Sequence, residues 1–461
     1  MSREGREVAA APPRRVRARG PKDVMDRIIS KINTTRPRNE DGGTFKLERS
    51  TRMKAPRIRY VLKTGIEPLD ALTNFICFGR TTEIYGLETS GKTSLARVCL
   101  VQSQKREIYE CVYDSDDSIT YSLKKIDDDV EIVRVFLDNE MSCDRDAKMM
   151  FPDPATGEKV EIDCALGECD TVDQMFKILD NTIDEVEKFQ EESGRVCLMI
   201  AVVDTIAGTA SKEEMSREWG TDDYSRQPKQ LREGFRKLSR RIAHANVCLI
   251  CTNQVSEKFQ KAHGKSNSTL PQESNYSSSG GRALKYWAHL RIFTFAVDMK
   301  YTLVRGSKFA AGYLVGFFIK KNRRAKPLRE GRMALIFEDG YGLDPTFSKL
   351  ETLIYLGMAE INRGAPYDIR FKFSKWKVPI TTFGTAPADA GRELEAEDDT
   401  GRKSDPRIAE RAEWPAFYRE HQADLDALWK VAIDYAFTTE GIGELSQLAS
   451  EPDDEIDEVD T

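Results

Sequence analysis

The chain has 461 residues, 40% of them apolar, and a net charge of −6. No apolar run approaches the length of a bilayer span, and no hydrophobic stretch follows the Arg-rich start, which excludes a membrane-spanning helix and a secretory signal. Nine cysteines and four histidines are scattered, with Cys164 and Cys169 lacking a second pair or a nearby His, so a structural zinc site is not expected and the thiols read as reduced, in a cytoplasmic setting. The charge is uneven. Residues 451–461 hold seven acids and no base, leaving the rest at +1, while residues 1–22 hold seven Arg or Lys against two Glu. A near-neutral body with a basic head leaves a nucleic-acid partner open.

In chain order, residues 1–22 read as a mobile arm. Residues 23–33 place Val24, Ile28, Ile29 and Ile32 on one helical face, ready to cover either this body or an adjacent copy. From Thr81, strand and helix alternate. Strands are expected at 81–85, 108–113, 196–203 and 247–252, and the last two are continuously apolar, as in a parallel sheet covered on both faces. A helix carrying Leu231, Phe235, Leu238 and Ile242 lies between them, and strands at 290–296, 313–319 and 333–337 follow closely enough to include antiparallel pairs. Residues 141–170 read as an irregular excursion and 385–406 as a linker, after which Trp414, Phe417, Leu425, Leu428 and Ile433 mark a helix pair. The expected organisation is an arm and helix over 1–50, a core over 51–345, a C-terminal domain over 346–450 and an acidic tail over 451–461.

The strongest local signal is Gly86-Leu87-Glu88-Thr89-Ser90-Gly91-Lys92-Thr93-Ser94, a G-x-x-x-x-G-K-[ST] string between an expected strand and an expected helix. Such a loop turns backbone N–H groups around phosphate oxygens at the positive end of a helix. Lys92 then faces the β/γ-phosphates, and the Thr93 hydroxyl is a ligand for Mg²⁺ beside ATP. Asp204, ending the apolar run 196–203, suits either a second Mg²⁺ acid or a helix cap. Hydrolysis also needs a group to orient water. The acids in Tyr113-Asp114-Ser115-Asp116-Asp117-Ser118 suit that task, or a solvated turn.

Taken together, these strings resemble the RecA/RadA/UvsX family of strand-exchange recombinases. Thr64-Gly65-Ile66-Glu67-Pro68-Leu69-Asp70 is similar to the family's entry to the core, and Glu83-Ile84-Tyr85-Gly86 to its approach to the phosphate loop. Asn253-Gln254 is similar to the end of its γ-phosphate-sensing strand. Gly280-Gly281-Arg282-Ala283-Leu284-Lys285 matches its Gly-Gly-x-Ala-Leu-Lys string, and Lys321-Asn322-Arg323 its paired cations. The match covers about residues 60–360. It implies a RecA-like P-loop ATPase core, α/β with a mixed, mainly parallel sheet, plus an N-terminal helix and a small α-rich C-terminal domain.

Several roles follow from that resemblance. Asp116 stands for the family's water-activating Glu, one methylene shorter, with Asp117 behind it. Gln254 senses the γ-phosphate, and Lys321 and Arg323 reach the nucleotide of a neighbouring subunit. Residues 255–279 resemble the second DNA-binding loop, where Lys258, Lys261 and Lys265 supply cations and Phe259 and Tyr276 supply aromatic faces, with Gly280, Gly281 and Arg282 at its exit. Lys229 and Arg236 match basic positions on the preceding helix, and Arg217 and Trp219 lie in the expected first loop at 211–226. The implied partners are single- and double-stranded DNA, further copies in a helical filament, and single-strand-binding and mediator proteins, in a bacterial or phage-infected cell; the Tyr-Asp-Ser string leans toward the phage-encoded type. The acidic tail would compete with DNA for basic surface. The alternatives are a helicase-type motor, which gives no reason for Gly-Gly-x-Ala-Leu-Lys, and a mediator deficient in hydrolysis, which the Asp at the Glu position keeps open.

Overall fold

The computed structural model describes residues 57–113, 121–141, 150–152, 159–216, 226–257, 276–304, 307–336, 342–362, 368–378, 406–408 and 413–437. The chain divides into two compact units, Met1–Arg57 and Ile58–Thr461, and the second is described here. The basic arm, the helix at 23–33, the linker over 385–405 and the acidic tail lie outside the described residues. So do Asp116, Asp117, Arg217, Trp219, Lys258, Phe259, Lys261 and Lys265.

The unit starts with β1 (Tyr60–Leu62), α1 (Glu67–Thr73), β2 (Ile76–Cys77), β3 (Arg80–Gly86) and α2 (Lys92–Gln104), then β4 (Ile108–Tyr113), β5 (Tyr121–Lys125) and β6 (Glu131–Asp138). The excursion contributes the strands β7 (Met150–Pro152), β8 (Lys159–Glu161) and β9 (Ala165–Gly167). Next come α3 (Val172–Ser193), β10 (Cys197–Asp204), α4 (Lys212–Met215), α5 (Arg226–His244), β11 (Val247–Glu257) and β12 (Tyr276–Ser278). After them lie α6 (Ala283–Trp287), β13 (Leu290–Val304), β14 (Ser307–Asn322), β15 (Arg329–Ile336) and β16 (Gly342–Asp344).

The main sheet runs in the order β16-β15-β14-β13-β3-β11-β10-β6-β9, with β12 paired to β11. Neighbours from β9 through β13 are parallel, and β13 through β16 are antiparallel. The uninterrupted apolar run of β10 has the cause expected of it. Leu198, Ile200 and Val202 join Leu95 and Val98 of α2 in one core cluster, while Met199, Ala201 and Val203 join Met175 and Leu179 of α3 and Phe235 and Leu238 of α5 in another. Each face is sealed by helices, so neither face tolerates a polar residue.

Two features differ from the sequence expectation. First, β4 is not a strand of the main sheet. It belongs to a separate antiparallel sheet, β2-β1-β4-β5, and its half-buried face, with Tyr109 and Tyr113 beside Tyr121 and Leu123, forms a small satellite cluster. The place beside β10 is filled by β6, in register from Cys197↔Glu131 to Asp204↔Asp138. Second, the α-rich C-terminal part also holds a small sheet that the sequence did not announce. The helix α7 (Pro345–Tyr355) precedes a three-stranded sheet of β17 (Ala359–Asn362), β18 (Asp368–Phe371) and β19 (Arg407–Ile408), and α8 (Trp414–Glu420) and α9 (Gln422–Phe437) follow. Leu353, Phe371, Trp414 and Leu428 share one cluster with Leu62, Leu69 and Leu95, so this part has no separate core. Among the described residues no helix is long and apolar enough to cross a membrane.

Candidate functional site: a nucleotide cradle and the hairpin beside it

The phosphate-loop string joins β3 to α2. Gly91 caps α2 in the left-handed region (φ 79°) with no side-chain cap, leaving the first N–H groups of a 13-residue helix open to an anion. Gly86 is required by close approach, because a Cβ there would lie 2.0 Å from the Thr294 carbonyl oxygen of β13. Ser90 fixes the loop with hydrogen bonds to the Leu87 carbonyl (2.7 Å) and the Thr294 hydroxyl (2.8 Å). The Lys92 ammonium donates to the carbonyls of Gly86 (3.2 Å) and Leu87 (2.5 Å). Burial lowers its pKa, opposed by Glu140, Asp204 and Glu88. A phosphate group would relieve that burial cost by taking the place of the carbonyls.

Asp204 ends β10 fully buried. One of its oxygens accepts a hydrogen bond from the Thr252 hydroxyl of β11; the other, Oδ2, has no hydrogen-bond partner. Burial raises its pKa, opposed by hydrogen bonds from Thr252 and Thr93. An enclosed carboxylate oxygen without a donor, next to the Thr93 hydroxyl, suits a hard divalent cation. Among the described residues no trio of His, Cys, Asp or Glu forms a metal cage. A cation held by Thr93 and Asp204 would therefore complete its shell from nucleotide and water oxygens.

Glu140 was not among the residues expected from sequence, yet it stands at the centre of this end of the sheet. The amides of Asn139 and Glu140 donate to the Asp204 carbonyl (2.7 and 3.3 Å), which hangs the end of β6 on the end of β10. The Glu140 carboxylate then accepts hydrogen bonds from Gln254 Nε2 (2.6 Å) and the Thr205 hydroxyl (3.0 Å). Its signal in the sequence was Asp138-Asn139-Glu140 after the apolar run of β6. Arg134 interrupts that run, and the Asp-rich stretch at 127–129 precedes it, which hid the strand.

Gln254 lies on β11 opposite Gly86 of β3. One residue later the same strand pairs with β12, from Val255↔Ser278 to Glu257↔Tyr276, closing a hairpin around residues 258–275. The hairpin root is pinned from below. Asn253 donates to the buried Glu83 (3.1 Å) and to the Ser279 carbonyl (3.0 Å); Glu83 is paired with Arg291, which also donates to Ser278 (3.2 Å). Tyr276 stacks on Phe293 at the hairpin root, ring centroids 5.8 Å apart, and is half-buried. Gly280 and Gly281, at φ 74° and 71°, carry the chain over α5, where a Cβ would meet Leu231 at 2.8 Å and Pro228 at 2.9 Å. That close passage explains why both are glycine, and Arg282 stands exposed just beyond it.

Compared with known proteins, residues 61–342 match the model of the RecA N-terminal domain family. The chain belongs to the RecA family. It is 27% identical over 303 residues to the protein RecA of Thermus aquaticus, covering 65% of this chain and 73% of that one. The protein RecA of Aquifex aeolicus is 28% identical over 285 residues (60% and 66%), and that of Chlamydia trachomatis serovar L2 is 25% identical over 281 (60% and 65%). The match spans both the nucleotide cradle and the hairpin of this RecA-family chain.

Two further groups complete the surface. On α5, Lys229, Arg232, Arg236, Lys237 and Arg240 are exposed. Arg241 differs: its guanidinium is bound by Asp180 (2.5 Å), Asp184 (2.6 Å) and Glu187 (2.7 Å) of α3, and it serves packing. Lys321 and Arg323 lie back from the cradle along the strands. Lys321 pairs with Arg291 on β13, whereas Gly86 pairs with Thr294, and β14 is two strands away from β3. That separation is about 10 Å along the strands and about 10 Å across them. The two cations rest on α6, Lys321 on the carbonyls of Lys285 (2.9 Å) and Tyr286 (3.1 Å) and Arg323 on that of Tyr286 (3.3 Å). Burial, with repulsion from Arg323 and Arg291, lowers the pKa of Lys321 to about 8.

Proposed function

We propose that this chain is an ATP-dependent recombinase, a DNA-stimulated ATPase that polymerises on single-stranded DNA and carries out homologous pairing and strand exchange. One observation carries this: Lys92, Glu140, Asp204 and Gln254 converge at one end of the sheet, and the strand bearing Gln254 runs directly into the hairpin around 258–275.

The chemistry assigned to each group follows from its surroundings. Lys92 and the open N–H groups of α2 hold the phosphates of ATP. Thr93 and Asp204 hold Mg²⁺, which when bound neutralises phosphate charge. Glu140, in place of Asp116, orients the attacking water and takes its proton, since its carboxylate is already aligned by Gln254 and Thr205. The hydrolysis-deficient alternative rested on a missing Glu, and Glu140 removes its reason. The phage-type subtype loses the support that the Tyr-Asp-Ser string lent it.

Gln254 couples the γ-phosphate to DNA. A change in its hydrogen bond to Glu140 is passed within one residue to the β11–β12 hairpin, whose loop carries Lys258, Phe259, Lys261 and Lys265. DNA phosphates are gripped by that loop, by Arg282, and by Lys229 and Arg236 on α5. Lys321 and Arg323, set back from their own cradle, serve the nucleotide of the next copy; this yields a head-to-tail polymer. Single-strand-binding and mediator proteins are its expected partners and the cytoplasm its expected site.

The test is ATP hydrolysis with and without single-stranded DNA, together with electron microscopy. Stimulation of about tenfold or more with open helical filaments is expected. Closed rings, or hydrolysis indifferent to DNA, would overturn the assignment.

A further inference from the structure

His289 lies between α6 and β13. Its amide donates to the Thr81 carbonyl (2.8 Å), and its carbonyl accepts from the Arg323 amide (3.2 Å), which ties it to the end of the sheet that carries Lys321 and Arg323. The residue is 8% exposed, and its enclosed Nε2 has no hydrogen-bond partner. The charged groups that bear on the ring are all cations: Arg80 from β3, Lys321 from the end of β14, and Arg323 and Arg324 just after it. The other ionisable groups of the surrounding elements are already engaged. Lys285 donates to Ser277, Arg291 is paired with Glu83, and Cys77 and Cys111 accept from Arg324.

A buried nitrogen with no partner, ringed by cations with no acid among them, is chemistry suited to a polyanion. We propose that His289 is a third member of the site with which one copy holds the phosphates of its neighbour's nucleotide, and that the imidazole takes up a proton from solvent as this contact forms. The proposal rests on the intersubunit role of Lys321 and Arg323 given above. Both of those side chains are folded back onto α6. Their extension toward phosphate uncovers the ring and lets Nε2–H donate to a phosphate oxygen.

The sign of the pH effect is fixed by the geometry. In the free subunit, burial and then repulsion from Arg80, Arg323, Arg324 and Lys321 depress the His289 pKa to about 3. Phosphate oxygens offset those cations and raise it. Association therefore gains strength as pH falls through the raised, assembled-state pKa, by up to about tenfold per pH unit, and the gain is complete only below the free-subunit value. Between pH 7 and 5, Lys321, near 8, stays charged. The nucleotide's terminal phosphate, which titrates at about 6–7, contributes equally to wild type and His289 variants, so the slope that the variants lose belongs to His289.

The experiment measures self-association of the full chain by sedimentation, without DNA, driven by a non-hydrolysable ATP analogue at pH 7, 6 and 5, with a pH-indicator measurement of proton uptake at pH 6. The wild-type association constant should rise at least about threefold from pH 7 to 5, with net proton uptake. His289→Asn and His289→Gln should remove that rise and the matching part of the proton uptake, leaving only what the nucleotide's own phosphate titration gives. Equal slopes in wild type and variants, or no proton uptake by the wild type, would overturn the proposal, the second outcome independently of how the variants fold. If Lys321→Ala/Arg323→Ala still associates normally, the intersubunit assignment itself fails; if it does not associate while His289→Asn keeps the wild-type slope, only the role of His289 fails. A His289-dependent slope in nucleotide-free binding of single-stranded DNA would assign the phosphates to DNA instead, and would also overturn it.

Discussion

Glu140 and the acids around Asp116 follow two different strands, and those strands go to different sheets. β6 runs parallel to β10 and ends beside Asp204, whereas β4 pairs with β1 and β5 outside the main sheet. A general base has to reach its water within one hydrogen bond, and Glu140 is within one hydrogen bond of Gln254 and Thr205. Glu140→Gln should therefore keep ATP and DNA binding while lowering turnover by about 10²–10⁴-fold. Asp116→Asn should stay within about twofold of wild type. Steady-state hydrolysis and filter binding on both variants check this, and a dead Asp116→Asn beside an active Glu140→Gln would reverse the assignment. The phosphate loop was legible in the sequence because its residues are contiguous and its chemistry is backbone-made. Glu140 was not, because its meaning depends on which strand lies next to β10, and that is a tertiary fact.

At the scale of elements, α5 shows what periodicity reveals and what it leaves out. Leu231, Phe235, Leu238 and Ile242 recur at helical spacing and are all buried, as the pattern required. The same pattern says nothing about which of the many cations on the other face is engaged, since the answer lies on α3, far away in sequence. Arg241 bridges Asp180, Asp184 and Glu187, while Arg236 is exposed. Arg241→Ala should leave three carboxylates facing one another and cost about 1–2 kcal/mol of stability, seen as a lower denaturation midpoint. Arg236→Ala should leave the midpoint unchanged, weaken DNA binding uniformly across sequences, and reduce the salt dependence of binding by about one counterion. If the two variants behaved alike in both assays, the division of labour along α5 would be wrong. The Gly-Gly turn after the hairpin is a similar case: the string was visible, but its cause, the passage over Leu231 and Pro228, needed the packed helix.

For the whole molecule, the decisive distance is the one between the cradle at Gly86–Lys92 and the cations at Lys321 and Arg323, about 10 Å back along the strands and two strands across. One copy therefore offers a nucleotide on one side and cations on the other, and ATP-dependent assembly should carry the titration of Lys321. Phosphate favours the charged ammonium and raises its pKa above the free value of about 8. Assembly should be at full strength below pH 8 and weaken by up to about tenfold per unit as pH rises through the assembled-state value. Lys321→Arg, charged throughout, should remove that decline between pH 8 and 9.5. The head-to-tail arrangement makes a stronger demand on mixtures. Glu140→Gln has intact cations and a dead cradle, and Lys321→Ala/Arg323→Ala has an intact cradle and no cations, so each alone should be nearly inactive. Mixed in equal amounts on single-stranded DNA, which holds both variants side by side in one filament, random order sets an intact cradle against intact cations in about one interface in four, and DNA-dependent hydrolysis should return to roughly a quarter of the wild-type rate. A site contained within one subunit could not be rescued in this way, because neither variant holds all of its parts. Mixing that recovers nothing, with both variants shown to co-assemble, would place Lys321 and Arg323 outside the catalytic interface.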